Sequence, residues 1–401
     1  MKNQFESEVL EAEQEMIAWR RHLHENPELS FQEYATSDYI EARLREFGNI
    51  EISRPTRTGV IGTITGVMPG QPAAVGIRAD IDALPIDEET GLPYASSRKG
   101  IMHACGHDGH TAILLAVARI LSSHRDSFCG TLRLIFQQAE ELPPGGAIEL
   151  KKAGAADGLD LMLALHLSSA FDTAVFGIKS GTLTANVDRF DITVHGRGGH
   201  CAFPELCADP ILTAAILIQS LQNIVSRKTA AADPVVISVC EVQAGTAYNI
   251  IPGEARITAS VRTFGDATRA LVQREVRTMA EHIAASQGCT AEVDWESGYP
   301  SVENDPKLAD LAEACVSGRF GPDQAKRIGT IMPGEDFSYF IDDKPGFFVE
   351  LGTRNLEKHT DRPHHNSHYC MDEDALKYGV QYFIDMVRKL LDGTGRNLPE
   401  Q

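Results

Sequence analysis

Residues 111–137 read TAILLAVARILSSHRDSFCGTLRLIFQ, and this stretch decides the fold class. Its first part, Thr111–Leu121, is apolar over a length typical of helices and predicts a buried helix. Its last part, Thr131–Gln137, is a short apolar run and predicts a strand. Two further apolar runs, Ala73–Ala79 and Asp160–Leu165, predict strands before and after it. Strands that are apolar throughout are typical of a sheet covered on both faces, so we predict an α/β domain.

The middle of the chain, residues 184–297, follows a different pattern. Strand-like segments are interrupted there by two amphipathic helical segments, the first of which follows the capping pair Asp209 and Pro210. The predicted order β-α-β-β-α-β is typical of a ferredoxin-like α+β unit. Its strands are predicted at Val187–His195, Pro234–Gln243, Glu254–Thr263 and Ala291–Glu296, and its second helix at Asp266–Ser286.

Helices and strands alternate again after this segment. We therefore predict one discontinuous domain, residues 1–183 plus 298–401, with residues 184–297 inserted into it. The length of 401 residues agrees with two domains, because one hydrophobic core usually organises no more than roughly 250–300 residues.

Charge and cysteine content narrow the functional classes. The chain has 37 Lys and Arg against 56 Asp and Glu, a formal net charge of −19 at pH 7. Because such a charge repels phosphate backbones and anionic lipids, we predict no nucleic-acid partner and no membrane partner. The N-terminal segment is acidic and polar, unlike a signal peptide, and the eight cysteines contain no Cys-x-x-Cys pair. We therefore expect a soluble, cytoplasmic protein with reduced thiols.

The segment MHACGHDGH, residues 102–110, combines cysteine, histidine and aspartate at a density that indicates a transition-metal site. Cys105 and His107 are two residues apart and would point about 200° away from each other on a helix. We therefore predict that both lie in a loop ahead of the helix, where Gly106 favours irregular backbone. His103 and His110 are equally consistent with groups that cap or solvate the helix start.

Acidic and histidine residues follow the predicted strands. Asp80 and Asp82 come after Ala73–Ala79, and His166 closes Asp160–Leu165. The carboxyl ends of the strands are where open α/β sheets hold their ligands. The pair Glu140 and Glu141 follows the third strand, in QQAEE at 137–141. Adjacent buried carboxylates repel each other, which favours one metal ligand and one free base.

Two further groups of candidates are more weakly indicated. Among His359, His364, His365 and His368, at least one is expected to complete a metal shell. In the inserted unit, His200 lies in the turn GRGGH at 196–200 and Asn249 in TAYNIIP, where a solvated loop residue is the competing interpretation. Neither a phosphate-binding loop nor a Gly-x-Ser-x-Gly elbow is found.

Taken together, the motifs resemble the metal-dependent amidohydrolases, which include hippurate hydrolases, N-acyl-amino-acid aminoacylases and indole-acetyl-amino-acid hydrolases. The resemblance covers nearly the whole chain and follows the family's order. Its motifs are RRHLHENPELS (20–30), RADIDALP (78–85), MHACGHDGH, QQAEE, GRGGHCAFPELCADP (196–210), AYNIIP (247–252), PGEDFSYF (333–340) and the region of His365. It implies a dinuclear-metal catalytic α/β domain that carries a ferredoxin-like lid, and a homodimer or homotetramer formed through that lid.

The resemblance also implies roles for individual residues. Two divalent ions, of manganese, zinc, cobalt or nickel, would be ligated by Cys105, His107, Glu141, His166 and His365. Glu140 would be the general base that takes a proton from the attacking water, with Asp82 as the supporting acid behind the metal site. His200 would stabilise the oxyanion and Asn249 would help to hold the substrate. The implied reaction is removal of the acyl group from an N-acyl amino acid.

Departures from the family pattern concern the substrate more than the chemistry. Glu205 stands where the lid motif usually has histidine, and Pro333 stands where glycine usually precedes the GEDF segment. Because His364 and His365 are adjacent, the motif leaves open which of the two is the last metal ligand. Three alternatives remain: a di- or carboxypeptidase, an amidase with Cys105 as nucleophile, and a non-catalytic binding protein that bears metal.

Overall fold

The structure, a computed structural model, describes residues 4–399 and divides into two compact units. The first contains the chain up to Leu183, the segment Val302–Gly329 and the chain from Asp336 onward. The second contains Thr184–Ser301 and Thr330–Glu335. Within residues 4–399, no helix combines the length and the apolar character needed to cross a bilayer.

Residues 4–399 form eight α-helices and sixteen strands. The helices are α1 (Gln4–Glu25), α2 (Tyr34–Phe47), α3 (His107–Ser123), α4 (Gly146–Lys152), α5 (Pro210–Asn223), α6 (Gly265–Ser286), α7 (Pro306–Phe320) and α8 (Ala375–Leu390). The strands are β1 (Glu51–Ser53), β2 (Val60–Thr65), β3 (Ala73–Asp80), β4 (Gly130–Gln137), β5 (Leu161–Asp172), β6 (Phe176–Ile178), β7 (Gly181–Thr182), β8 (Asn186–His195), β9 (Gly199–His200), β10 (Val236–Ala244), β11 (Ile250–Ile251), β12 (Glu254–Thr263), β13 (Thr290–Ser297), β14 (Glu303–Asn304), β15 (Ala325–Arg327) and β16 (Gly346–Arg354).

The first unit is built on an eight-stranded sheet in the order β1-β2-β4-β3-β5-β16-β6-β15. Its centre, β4-β3-β5-β16, is parallel. The residues of β3 and β16 are almost all buried, and so is α3, as expected for strands and a helix inside an α/β layer structure. The predicted α/β fold is therefore confirmed.

The structure differs from the sequence-based prediction at two metal-ligand candidates. His107 does not lie in a loop but is the first residue of α3. The bend comes from Gly106, whose φ of 93° lies in the left-handed region that glycine adopts without steric cost. His166 does not close a strand but lies inside β5. The pairing of β5 with β3 ends at Ala164, and β5 then continues beside β16. His166 therefore still lies just beyond the end of the β3–β5 pairing.

The second unit has its own sheet and its own core. The antiparallel sheet has the order β10-β12-β8-β13, and α5 and α6 pack on it. The chain order is β8-α5-β10-β12-α6-β13, so the predicted ferredoxin-like order is observed. His200 is not at an unpaired loop tip, because β9 pairs with β11 and places His200 opposite Ile250.

Candidate metal centre

The imidazole of His107 is held in one orientation by Asp82. Its Nδ1 lies 3.0 Å from the carbonyl oxygen and 3.2 Å from Oδ1 of Asp82, so the Nδ1 proton is donated there. Both side chains are buried, with 1% exposure each. The other ring nitrogen, Nε2, is buried and makes no hydrogen bond within residues 4–399. A histidine with one nitrogen fixed by a carboxylate and the other left open has the arrangement that metal-binding histidines usually show.

Asp82 also fixes the backbone that carries the two glutamates. Its Oδ2 accepts hydrogen bonds from the Glu141 N–H at 3.1 Å and from the hydroxyl of Ser30 at 2.7 Å. The Glu141 carboxylate oxygen Oε1 lies 3.9 Å from Nε2 of His107. Glu140 is 8% exposed. One acid therefore orients both His107 and Glu141, which agrees with the supporting role that the resemblance implies for it.

Cys105 and His166 meet on the other side of the site. Sγ of Cys105 lies 3.5 Å from Nε2 of His166, while Nδ1 of His166 donates to the carbonyl of Leu167 at 2.8 Å. Burial, together with the neighbouring imidazoles of His110 and His364, lowers the pKa of His166 well below its usual value. A neutral imidazole, with its proton on Nδ1 and none on Nε2, is the form that binds a metal through Nε2.

Two groups of possible metal ligands share Cys105. Cys105, His107 and Glu141 form one group, and Cys105, His166 and His364 form the other, with ligand atoms within 4.8 Å of one another in each group. A mixed set of sulfur, nitrogen and oxygen ligands suits zinc, manganese, cobalt and nickel. The donor set thus fits two ions that have one thiolate ligand in common.

His110 lies close to the same site, but its ring nitrogens are both in use. Nδ1 donates to Oδ1 of Asp80 at 2.6 Å, and Nε2 accepts the Leu167 N–H at 2.8 Å. His110 therefore has no lone pair left for a metal. It joins the end of β3 to β5, and does not cap or solvate the start of α3 as its sequence position allowed.

The two adjacent histidines 364 and 365 are both brought to the site. His364 is mostly buried, and burial together with His110 and His365 lowers its pKa to about 3. His365 is more exposed, with its Nε2 3.2 Å from Oε1 of Glu141, and its φ of 60° is in the left-handed region. Strained backbone of this kind is concentrated at functional sites. His359 and His368, by contrast, are exposed.

The electrostatics of the site favour a cation. Although burial lowers the pKa of His107, the charges of Asp80, Asp82 and Glu141 raise it to about 10. Burial and the charges of Glu141, Glu140 and Asp80 raise the pKa of the Cys105 thiol well above its usual value. A cation bound beside Cys105 would favour the thiolate, which is the form that ligates a metal.

A buried network that sequence reasoning missed anchors the first turn of α3. Oδ2 of Asp108 lies 2.8 Å from Nε of Arg20 and 2.8 Å from Nδ1 of His24, and all three side chains have 0% exposure. Although burial raises the pKa of Asp108, Arg20 and His24 lower it far below its usual value. The signal was present in the segment 20–30, whose motif carried the resemblance without an assigned role.

A second unpredicted network lies at the carboxyl ends of β3 and β4. Asp336 accepts hydrogen bonds from Arg78 at 2.8 Å, from Nε2 of Gln137 at 2.7 and 2.8 Å, and from the Ala147 N–H at 3.0 Å. Asp336 belongs to the PGEDFSYF motif. This motif therefore ties the first turn of α4 to the sheet.

The lid candidates lie in the second unit and near each other. The Cys201 N–H donates to the carbonyl of Asn249 at 3.2 Å beside the β9–β11 pairing, and His200 and Asn249 are both exposed. Nδ1 of His200 accepts the Ala202 N–H at 3.1 Å, which leaves Nε2 as the protonated nitrogen of a neutral ring. Glu205 and Pro333 are exposed in the same unit.

Comparison with known proteins identifies the family. The profile of peptidase family M20/M25/M40 matches residues 76–389. The chain belongs to peptidase family M20/M25/M40. The resemblance drawn from the motifs is thereby confirmed, and the chain is a metal-dependent hydrolase of this M20 family.

Three similar proteins illustrate the membership. An N-acyl-L-amino acid amidohydrolase of Geobacillus stearothermophilus is 44% identical over 76% of this chain and 83% of its own length. An N-acetylcysteine deacetylase of Bacillus subtilis is 41% identical over 94% of this chain and 97% of its own. The solved YxeP protein of Bacillus subtilis, described as a dinuclear metal binding M20 peptidase, superposes with a TM-score of 0.83 at 38% identity, over 95% of this chain and 99% of that one.

Proposed function

We propose that this M20 protein hydrolyses the amide bond of N-acyl amino acids with two divalent ions. The observation that carries the proposal is the pair of ligand groups that share Cys105, beside the buried Glu140. The substrate class is supported by the two relatives, which are an N-acyl-L-amino acid amidohydrolase and an N-acetylcysteine deacetylase.

The proposed ligands are Cys105, His107, Glu141, His166 and His365. The open Nε2 of His107 and the short distance between Glu141 and His365 support this set. His364 competes with His365, because its Nε2 is also buried without a hydrogen bond within residues 4–399 and lies near Cys105 and His166. Ions bound there would lower the pKa of a water molecule and polarise the carbonyl oxygen of the amide.

The proton transfers are assigned to Glu140. Its carboxylate accepts a proton from the water that attacks the amide carbon and delivers it to the nitrogen of the departing amine. Asp82 keeps the Nδ1 proton of His107 in place and so keeps Nε2 available as a ligand atom.

His200 and Asn249 are proposed to handle the substrate. The Nε2–H of His200 is the donor that remains for the oxyanion formed when water adds to the amide carbon. The amide side chain of Asn249, next to it along the β9–β11 ribbon, offers both a donor and an acceptor to the substrate.

Residues 184–297 are proposed to act as the lid and as the dimerisation domain of a homodimer or homotetramer. Apolar side chains are exposed in this unit at Ile211 and Leu212 on α5 and at Val236 and Val242 on the edge strand β10. An uncovered sheet edge with apolar neighbours is a common pairing surface. Sedimentation that detects only monomer would contradict this assignment. The cytoplasm is the proposed location, because all eight cysteines are free thiols.

The second candidate function is a di- or carboxypeptidase, which the family's peptidase classification favours. The two candidates share the metal chemistry and differ in the group that supplies the carbonyl of the cleaved amide bond. In an N-acyl amino acid this group is a simple acyl chain, and in a dipeptide it is an amino acid. Free dipeptides must be cleaved faster than N-acetyl and N-benzoyl amino acids if the second candidate is correct.

The test measures hydrolysis of N-acetyl and N-benzoyl amino acids and of matched dipeptides. The protein is assayed as purified, after chelation, and after manganese, zinc, cobalt or nickel is restored. Glu140→Gln is expected to lose about 10²–10⁴-fold in kcat while retaining its metal, because only the proton transfer is removed. Glu149→Gln, which changes an exposed glutamate on α4, is the control.

The outcomes separate the alternatives. Activity that disappears with the metal, returns with it and is lost in Glu140→Gln supports the proposal. Activity that survives chelation contradicts it and favours Cys105 as a nucleophile. A metal-loaded protein that cleaves none of these substrates contradicts it in favour of a binding role. Metal content of His364→Asn and His365→Asn identifies the last ligand, and we expect the larger loss in His365→Asn.

A further inference from the structure

One buried carboxylate oxygen binds two backbone N–H groups that both belong to strained residues. Oε1 of Glu33 accepts the N–H of Phe31 at 2.9 Å and the N–H of Ala139 at 2.9 Å. Phe31 has φ 64° and Ala139 has φ 51°, values in the left-handed region that residues with a Cβ rarely adopt. Ala139 immediately precedes Glu140.

The peptide groups around Ala139 are fixed on both sides. The N–H of Ala139 is bound to Glu33, and its carbonyl accepts the Gly146 N–H at 2.9 Å. The Glu141 N–H is bound to Asp82. Glu140 therefore stands between two backbone positions, one held by Glu33 and the other by Asp82.

Glu33 is itself firmly placed. Its side chain has 0% exposure, and its Oε2 accepts the hydroxyl proton of Thr58 at 2.8 Å. Burying a carboxylate is unfavourable unless hydrogen bonds compensate for its lost hydration. The three donors that surround Glu33 offset part of this cost, although burial and the charge of Asp82 still raise the pKa of Glu33 to about 7. One of the three donors is the N–H of Ala139, in the strained turn before Glu140.

Glu33 acts on a different part of the site from Asp82. Asp82 contacts His107 and the N–H of Glu141, both of which belong to proposed metal ligands. The bonds of Glu33 instead reach the backbone ahead of Glu140 and the segment that precedes α2. Loss of Glu33 should therefore affect the base more than the metal.

We propose that Glu33 is a positioning residue that holds Ala139 in its left-handed conformation and thereby fixes the carboxylate of Glu140 for proton transfer. This inference rests on the proposed function, in which Glu140 is the general base. The strained conformation persists only while the surrounding contacts enforce it, and the Glu33 carboxylate is the contact on the Ala139 N–H.

The test compares Glu33→Ala, Glu33→Gln and Ala139→Gly, alone and combined, in the full-length protein. In Glu33→Ala we expect kcat to fall about 10–100-fold, since small misplacements of a catalytic group have effects of this size. KM and the bound metal per subunit should stay near the wild-type values. Glu33→Gln keeps an acceptor oxygen and should recover most of the rate.

Ala139→Gly gives the decisive measurement. Glycine adopts positive φ without a Cβ clash, so the turn no longer depends on Glu33 to the same degree. In the Glu33→Ala background, Ala139→Gly should raise kcat at least a few-fold above that of Glu33→Ala alone. If Glu33→Ala does not fold, Glu33→Asp, which keeps the charge and shortens the side chain by one methylene, is used in the same pair with Ala139→Gly.

Glu28→Gln is the control, because Glu28 is a buried glutamate of the same segment whose carboxylate binds the Thr36 N–H. The inference is overturned if Glu33→Ala loses metal and rate together, if Glu28→Gln lowers kcat equally, or if Ala139→Gly gives no recovery. A fully active Glu33→Ala beside an inactive Glu140→Gln overturns this inference alone. An active Glu140→Gln overturns the proposed function instead.

Discussion

The proposed metal centre and the proposed lid residues are built in opposite ways. In the first unit, His107, Asp82 and Glu33 are buried, and the carboxylates of Asp82 and Glu33 and Nδ1 of His107 are hydrogen-bonded to other fixed groups. In the second unit, His200 and Asn249 are exposed on a two-residue strand pair. Few buried contacts allow local motion, whereas a satisfied buried network resists it. Variants of the first unit should therefore change metal binding or proton transfer, and variants of the second should change turnover or substrate binding and leave the metal content unchanged.

The largest effect is expected from Cys105→Ala. Because Cys105 belongs to both ligand groups, its loss should reduce bound metal to below one ion per subunit. Activity should fall by more than about 10³-fold, since metal polarisation contributes several kcal/mol to transition-state stabilisation. Metal analysis and initial rates test this, with Cys315→Ala on α7 as the control. Two retained ions in Cys105→Ala would refute the shared ligand.

His200→Ala tests the other side of the comparison. Loss of one oxyanion donor is expected to lower kcat by about 10²–10³-fold. The bound metal should not change, because His200 belongs to the second unit and to neither ligand group. His282→Ala, an exposed histidine of the same unit, is the control. A loss of metal in His200→Ala would remove the distinction between the two regions.

Asp82→Asn should give a smaller effect on the first unit. Asparagine cannot hold both the His107 imidazole and the Glu141 N–H as a carboxylate does. Replacing the hydrogen-bond partner of a metal ligand typically weakens metal affinity by about 10–100-fold. Calorimetric titration of the metal-free protein measures this, with Asp38→Asn on the surface as the control. Unchanged affinity would show that Asp82 is not needed to orient the ligands.

The smallest effect concerns stability and pH. Burial raises the pKa of Glu350 on β16 from 4.5 to about 7, against a hydrogen bond with Ser168 that lowers it. A carboxyl with a raised pKa in the folded protein stabilises it below pH 4.5 and loses this contribution as the pH rises through 7. Ionisation therefore costs up to about 3 kcal/mol at pH 8.

Glu350→Gln, which is neutral at every pH, should raise the melting temperature at pH 8 by about 2 °C or more and leave it nearly unchanged at pH 5. The exposed Glu205→Gln in the second unit should have no such effect. Parallel pH dependence in wild type and Glu350→Gln would contradict this prediction.

The sequence predicted the parts of the site whose signals are local. The strand Ala73–Ala79 was placed almost to the residue, because apolar runs of this length are read from the chain directly. The ligand types around Cys105 were also recognisable from their density. The start of α3 was misplaced, since the left-handed bend at Gly106 makes two residues converge without a loop between them.

Sequence alone determined the α/β class, the β-α-β-β-α-β order of the inserted segment and the residue types available for chemistry, because periodicity and composition are properties of the chain. Only the tertiary structure decided that both ring nitrogens of His110 are hydrogen-bonded, to Asp80 and to Leu167. It also decided that His364 approaches Cys105 and that Glu33 binds the Ala139 N–H. These are contacts between residues far apart in sequence. A hydrogen bond depends on distances and angles that the packed backbone sets, and no spacing along the chain encodes them.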